Sequence, residues 1–549
     1  MSRLKVIFPY LLAVLSGVMA ALPLNVSYTS ILLVMALVPL LYAEHLIATS
    51  GRKRQLLKTA ALGFIFLYVN QWIYLSPMKL MFSYWMFLYL LVLALIFTIF
   101  FTLFVWIKRK MGNKIGYLAF ICLYLCFECM MVSKQIPFPM IKLGCALIGI
   151  EGFGTYYIQW YEYTGVPGGT LWILTCNVLF FILIRNCIEK RKNKQALIAT
   201  AVTVFVLPLI LSLIIYYTYK ENKASVEFVL VQPNYSPYTE KFAVPMNDQR
   251  DRMVALAEAA LTDRTDLVVF PETALEGNCW YNNINENEMV AYLRDTFLAR
   301  HDGLELLMGV PMMQYFLSSQ SPSIDAIPAG DSIFLQRYNA AILVKKESVE
   351  TYKKIILAPF SERMPFVSVF PFLTKHKVKK PGTFFLNHAI GEQQNVLYAN
   401  RARIGCFICY ESAFGNFCAE FANRGAEVLC VVTNDGWWLK STMARQHLLL
   451  GQIRAIENRR SLVRCTNTGI TAGIDQRGRI VAQAPWWEPT ALKVTLNKNR
   501  TKTLYTQWGD YIGVISVLFS LLVIMLTLYK SIATHRLQGA GRIGKGRKS

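Results

Sequence analysis

Three short segments of this 549-residue chain end apolar runs on residues that can do chemistry. In LVVFPETALEG, Glu272 follows a β-branched run and a proline. In YKKIILAPFSERMPF, Lys354 and Glu362 stand eight residues apart around Pro359. In IGCFICYESAFGN, Cys409 closes a run and is followed by Tyr410 and Glu411. Ligand sites in α/β folds collect beyond strand ends. A carboxylate, an ammonium and a thiol converging there form a nucleophilic set. Glu272 would take the thiol proton, the Cys409 thiolate would attack a carbonyl, and Lys354 would hold the oxyanion. The lysine's charge would also lower the thiol's pKa. Taken singly, the same residues read as a solvated glutamate, a surface lysine and a small core cysteine.

The surrounding block, 221–508, alternates strand-like and helix-like runs. Val226–Gln232, Leu267–Phe270, Leu306–Val310, Ala340–Lys345, Ile404–Tyr410 and Val428–Thr433 are short, apolar and rich in β-branched residues, as buried strands are. Asp248–Leu261, Met289–Leu298 and Ala444–Ile456 carry apolar residues at helical spacing. The alternation predicts a layered α/β domain. The block has 32 basic and 28 acidic residues, with no Gly-Lys-Ser/Thr phosphate loop.

The whole chain carries +23, from 57 Lys+Arg against 34 Asp+Glu, yet it is 54% hydrophobic and only 17% charged. A basic protein invites a nucleic-acid reading; sparse charge among apolar runs invites a membrane reading. Runs at 6–23, 28–47, 57–75, 84–107, 115–133, 168–186, 197–219 and 510–529 read as eight helical spans. With both termini on one side, that side collects 21 basic residues, in 3–5, 52–58, 108–114, 185–194 and the tail. The short loops opposite carry Lys79, Lys134, Lys142 and Lys220. The positive-inside rule then puts both termini in the cytoplasm and the block outside it. The chain thus divides into a seven-span part (1–220), an extracytoplasmic block (221–508), and a last span with a basic tail (509–549). The outer loop at 134–167, with Tyr156, Tyr157, Trp160, Tyr161 and Tyr163, suits either interfacial anchoring or a lid. Glu128, inside a span, is either paired or lines a polar cavity.

Outside the cytoplasm disulfides are permitted, but Cys409 must remain a thiol for this chemistry. Cys406 and Cys409 have C-x-x-C spacing. On a strand, residues three apart face opposite ways, which argues against redox or metal use. His447 has no HExxH partner and reads as structural or interfacial.

Together, the order and settings of Glu272, Lys354 and Cys409 resemble the nitrilase, or carbon–nitrogen hydrolase, superfamily over residues 225–500. VTNDGWW (Val432–Trp438) and RCTNTGITAGIDQRGRI (Arg464–Ile480) are part of the match. Seven spans before the block, one after it, and QWYEYTGVPGGTLWIL (Gln159–Leu174) narrow the resemblance to the apolipoprotein N-acyltransferase family. That resemblance implies a multi-pass α-helical membrane domain plus an α/β, nitrilase-like αββα sandwich in a bacterial inner membrane, with the sandwich periplasmic. It implies Glu272 as general base, Lys354 as oxyanion lysine and Cys409 as nucleophile, with Glu362 supporting both Lys354 and Glu272. Tyr410 and Glu411 would shape the pocket, and Trp437 and Trp438 would be either a wall of the acyl pocket or core. Ser361 stands where the family usually has glycine, and Phe242 stands near a family tryptophan.

The implied reaction moves an acyl chain from a membrane phospholipid, through a cysteine thioester, to the N-terminal amine of a diacylglyceryl-modified apolipoprotein. It needs no metal or organic cofactor and no nucleic acid, and a monomer is expected to suffice. Two rival readings are a membrane-anchored amidase or nitrilase acting on a small amide, and a transporter or sensor with a binding-only outer domain.

Overall fold

The computed structural model describes residues 2–51, 54–76, 84–132, 138–149, 152–191, 194–274, 279–317, 326–363 and 388–545. Several positions used above lie outside these: Arg52, Lys53, Lys79, Lys134, Lys192, Arg547, Lys548, the end of the fifth span and parts of the outer loop.

Among the described residues, eight helical stretches are long and apolar enough to cross a membrane. They are built from α1 (Ser2–Ala21), α2 (Val38–Thr49), α3 (Gln55–Leu75), α4 (Tyr84–Met111), α5 (Asn113–Met130), α7 (Tyr161–Ile188), α8 (Gln195–Thr218) and α14 (Tyr511–Lys545). The short α6 (Leu143–Ala146) lies between α5 and α7. The second stretch is not one continuous helix: a 3-10 turn at Ser30–Val34 precedes α2. Pro39, in the first turn of α2, suits a helix start. At the break the Leu37 N–H donates to Asn177 Oδ1 at 2.7 Å. The α7 helix begins at Tyr161 but is broken at Gly165 (φ 60°, ψ −169°), so its regular part starts close to the expected residue 168. Glu128 is paired: it accepts from the Leu143 N–H at 2.8 Å and the Thr170 hydroxyl at 2.7 Å. Of the outer-loop rings, Tyr157 and Tyr163 are exposed, whereas Tyr161 is buried.

The block between α8 and α14 holds two sheets. The first contains β1 (Ser225–Gln232), β2 (Leu267–Val269), β3 (Cys279–Trp280), β4 (Glu305–Leu317), β5 (Ile327–Pro328), β6 (Ile333–Val344), β7 (Val349–Lys353) and β14 (Thr490–Asn497), in the order β14-β1-β2-β4-β6-β5, with β3 on β4 and β7 on β6. The second contains β8 (Leu397–Tyr398), β9 (Arg403–Ile408), β10 (Val428–Thr433), β11 (Ser461–Thr466), β12 (Ala472–Ile474) and β13 (Ile480–Gln483), ordered β13-β12-β11-β10-β9-β8. The neighbours β1, β2 and β4 are parallel, as are β9, β10 and β11.

Period-two alternation divides the core. Phe228, Leu230 and Val269 share one apolar cluster with Cys406, Ile408, Cys430 and Val432 of the other sheet. Their neighbours Val229, Val231 and Val268 pack on Met253 and Ala257 of α9 (Met246–Ala260) and Val290 of α10 (Glu288–Tyr292). The helices α11 (Gly415–Asn423) and α12 (Thr442–Asn458) cover the second sheet. The result is the expected αββα sandwich. Two elements are longer than expected: β4 and β6 pair antiparallel over twelve positions, and the outer end of the ladder is only partly buried, with Tyr315, Leu317 and Ile333 exposed. The run at 289–298 is not one helix, because α10 passes into a π turn at Leu293–Phe297.

The sandwich and the helical bundle share one apolar core. Tyr410, Phe414, Leu449, Leu450 and Ile453 belong to the same cluster as the bundle residues Phe97, Phe127 and Ile173. Polar contacts fix the junction: Glu457 Oε1 accepts the Val166 N–H at 3.0 Å, and Arg459 reaches Glu162 at 2.8 Å. The short α13 (Leu504–Trp508) brings the Tyr505 ring against Gly165, where an added Cβ would lie 2.2 Å from the ring. Gly165→Ala is therefore expected to cost about 1–3 kcal/mol, through strain at positive φ and overpacking. A lower melting temperature of the detergent-solubilised protein checks this.

Candidate active site

Cys409 follows the last residue of β9 and opens a 3-10 turn, Cys409–Ala413. Its φ is +52°, a conformation that costs a non-glycine residue about 1–3 kcal/mol. Such strain persists only where surrounding contacts over-determine it. Glu411 supplies four of them. Its Oε2 accepts the Ile408 N–H at 2.8 Å, ahead of the nucleophile. Its Oε1 accepts the Ile355 N–H at 2.7 Å, the Ile356 N–H at 3.1 Å and the Tyr352 hydroxyl at 2.7 Å. One carboxylate thus ties the cysteine turn to the segment that follows β7 and carries Lys354.

Lys354 is 1% exposed. Its ammonium lies 3.4 Å from Glu272 Oε1 and 2.9 Å from Glu362. Asn339, on β6, donates to both carboxylates, at 2.8 Å to Glu272 and 2.7 Å to Glu362. The Asn434 N–H, after β10, donates to Glu272 Oε2 at 3.0 Å, and the Ala358 N–H donates to Glu362 Oε2 at 2.7 Å. The structure therefore brings together Glu272, Lys354, Glu362, Cys409 and Glu411, from three separate segments of the chain.

The electrostatics follow from burial. Desolvation opposes the Lys354 charge, but Glu362 and Glu272 more than offset it and raise the lysine's pKa. Burial raises Glu272, with repulsion from Glu362 added and attraction to Lys354 opposing. Burial also pushes Glu362 upward, but Lys354 and its other partners hold it below the ordinary glutamate value. Glu411 is raised by burial to about 7. Lys354 pulls the Cys409 pKa down, as the sequence predicts, but burial and the neighbouring Glu272 outweigh it, and the thiol is raised. The raised pKa favours the protonated thiol.

Tyr410 turns its ring into the bundle-side core, against Phe414 at 5.5 Å. The two tryptophans part company. Trp437 meets Tyr238 at 5.6 Å and Phe242 at 6.4 Å, while Trp438 meets the edge of His447 at 5.3 Å and packs on the bundle core. At Ser361 no left-handed backbone is required, because the positive φ falls on Phe360 (63°). Cys406 is fully buried between the sheets, and none of the twelve cysteines forms a disulfide. Sequence reasoning missed Asn339, although a lone amide inside the apolar run YNAAILVK is a visible signal. It also missed Asp435, Ser412 and Arg464, which sit around the Cys409 turn together with His447, read from the sequence as structural or interfacial.

Two predictions follow from this geometry. Glu272→Gln removes a charge that raises the Cys409 pKa, so the pH profile of Cys409 alkylation by iodoacetamide should move to lower pH, even though the base is gone. Glu411→Gln replaces an oxygen by an NH2 that must face a donor in either orientation, and a buried unpaired group costs about 1–3 kcal/mol. Its melting temperature should fall.

Residues 231–505 match the carbon–nitrogen hydrolase family, and residues 16–179 match the apolipoprotein N-acyltransferase N-terminal domain. An apolipoprotein N-acyltransferase of Chlorobaculum tepidum is 27% identical, over 74% of this chain and 76% of its own length. Another, of Thermotoga maritima, is 26% identical over 94% of this chain and 93% of its own. Among solved structures, a Saccharomyces cerevisiae member of branch 10 of the nitrilase superfamily aligns over 51% of this chain and 92% of its own, with 16% identity and a TM-score of 0.36.

Proposed function

Since the chain belongs to the carbon–nitrogen hydrolase family, with a membrane bundle like that of the N-acyltransferases, we propose that it transfers an acyl chain from a membrane phospholipid to the N-terminal amine of diacylglyceryl-cysteine on apolipoproteins. The observation that carries this reading is a buried Glu–Lys–Cys site whose loops rest on the membrane bundle. Ile356, Ala358, Phe360 and Trp438 all pack on the bundle core, and Phe360 meets Tyr89 of α4 edge-on at 5.3 Å. A site placed there is reached by substrates held in a bilayer.

The proposed reaction has two halves. Glu272 takes the Cys409 proton as the sulfur attacks the ester carbonyl, and Lys354 with the Tyr410 N–H holds the tetrahedral oxyanion. The C–O bond breaks, Glu272 returns the proton to the departing lysophospholipid, and a thioester remains. The acceptor amine then attacks the thioester, Glu272 takes its proton, and collapse forms the amide and returns the proton to sulfur. Glu362 and Asn339 keep Lys354 and Glu272 in register. In this reading both termini are cytoplasmic and the sandwich faces the periplasm, at an inner membrane, in accord with the Lys/Arg asymmetry. A single chain carries every residue used.

The test is to incubate membranes containing the protein with phospholipid labelled in its acyl chains. Label should appear on Cys409 and then, by an amide bond, on an added diacylglyceryl peptide. Cys409→Ser should lower the rate by on the order of 10³-fold or more. A Ser variant that still forms labelled product at the original rate would sink the proposal. Release of ammonia from small amides, without amide-linked lipid, would favour the amidase reading.

A further inference from the structure

Two buried side chains outside the Glu–Lys–Cys set converge on the Cys409 carbonyl, and two more back them. The Ser412 hydroxyl donates to that oxygen at 2.9 Å, and His447 Nε2 lies 3.0 Å from it and 2.8 Å from Ser412 Oγ. On its other edge, His447 Nδ1 lies 3.0 Å from Asp435 Oδ1 and 3.1 Å from Arg464 Nη2. Arg464 also binds Asp435 Oδ2. All four residues are at most 1% exposed.

Atom for atom, Ser412, His447 and Asp435 repeat the contacts of a serine-hydrolase triad. The surroundings exclude that role. Ser412 is sealed from solvent, and its proton is committed to the Cys409 carbonyl. The tautomer of His447 decides what the cluster does instead. With the proton on Nδ1, the ring would serve Asp435, Nε2 would take the Ser412 proton, and the Cys409 oxygen would face a lone pair. With the proton on Nε2, the ring N–H and the Ser412 hydroxyl both point at the Cys409 oxygen. Arg464 then donates to Nδ1, and Thr433, 3.2 Å from Asp435 Oδ1, helps to satisfy the carboxylate. Only the second arrangement leaves no lone pair facing the carbonyl; it sets the bare Nδ1 lone pair 3.0 Å from Asp435 Oδ1, a repulsion that the Arg464 donor at 3.1 Å offsets. Burial and the Arg464 charge hold the imidazole's pKa below its ordinary value, which keeps the ring neutral.

The Cys409 carbonyl shares one planar, trans peptide with the Tyr410 N–H, so fixing the oxygen fixes the direction of the N–H. We propose that His447, oriented by Asp435 and Arg464 and assisted by Ser412, is a positioning residue that clamps the Cys409–Tyr410 peptide with its N–H toward the oxyanion. The inference rests on the acyl-transfer reading above.

The test compares two reactions of the same sulfur in the full-length protein in detergent. Acylation by labelled phospholipid develops an oxyanion; alkylation by iodoacetamide does not. His447→Leu should slow acylation by on the order of 10- to 100-fold while alkylation stays within about twofold, because loss of an oxyanion donor costs at most about 10³. His447→Gln, which keeps an amide N–H near the Nε2 position, should recover about tenfold of that loss, and Ser412→Ala should show a smaller but equally selective effect. Unchanged acylation in His447→Leu overturns the inference. If His447→Leu loses both reactions together, Ser412→Ala decides, and parallel loss there overturns it too. A wild-type protein that takes no label from phospholipid overturns the acyl-transfer reading and this inference with it.

Discussion

An ammonium buried to 1% exposure cannot stand alone. Moving an isolated charge out of water costs far more than a fold can spare, so it must be paired and hydrogen-bonded. The arrangement around Lys354 meets that demand. Two carboxylates share the ammonium, and an amide on β6 links the two carboxylates. The same pairing sets unequal proton affinities: Glu362 is held down beside the lysine and Glu272 is pushed up. Two carboxylates with one cation between them thereby acquire different roles, one fixed as an anion and the other ready to exchange a proton.

Glu411 extends this dependence from charge to backbone. Every donor it accepts belongs either to the strand end before Cys409 or to the Tyr352–Ile356 stretch. The left-handed cysteine and the lysine are therefore locked to one another through a single side chain. On the far side of the same turn, the Cys409 carbonyl is held by Ser412 and His447. A strained cysteine is kept in place from both directions, and burial together with the adjoining Glu272 raises its thiol pKa.

The sandwich is not a separate body on a tether. Its α12 and its cysteine turn complete the core of the membrane bundle, and Gly165 lets α7 bend around Tyr505. A shared core of this kind fixes the height of the site relative to the helices.

Much of this was legible in the amino-acid sequence. Eight apolar runs, the asymmetry of Lys and Arg, the β-branched runs and the Glu–Lys–Cys order are local properties, and local properties survive in one dimension. The strand β11 escaped because Arg464 interrupts its apolar run, and β7, β12 and β13 because they are short. The break before α2, the roles of Asn339 and Asp435, and the direction of the Cys409 pKa were set elsewhere. Each depends on which groups meet after two sheets stack and a helical bundle closes beneath them. Residue order sets which groups are able to react; how deeply they are buried, and beside whom, follows from packing in three dimensions, and burial sets the energy of every charge in the site.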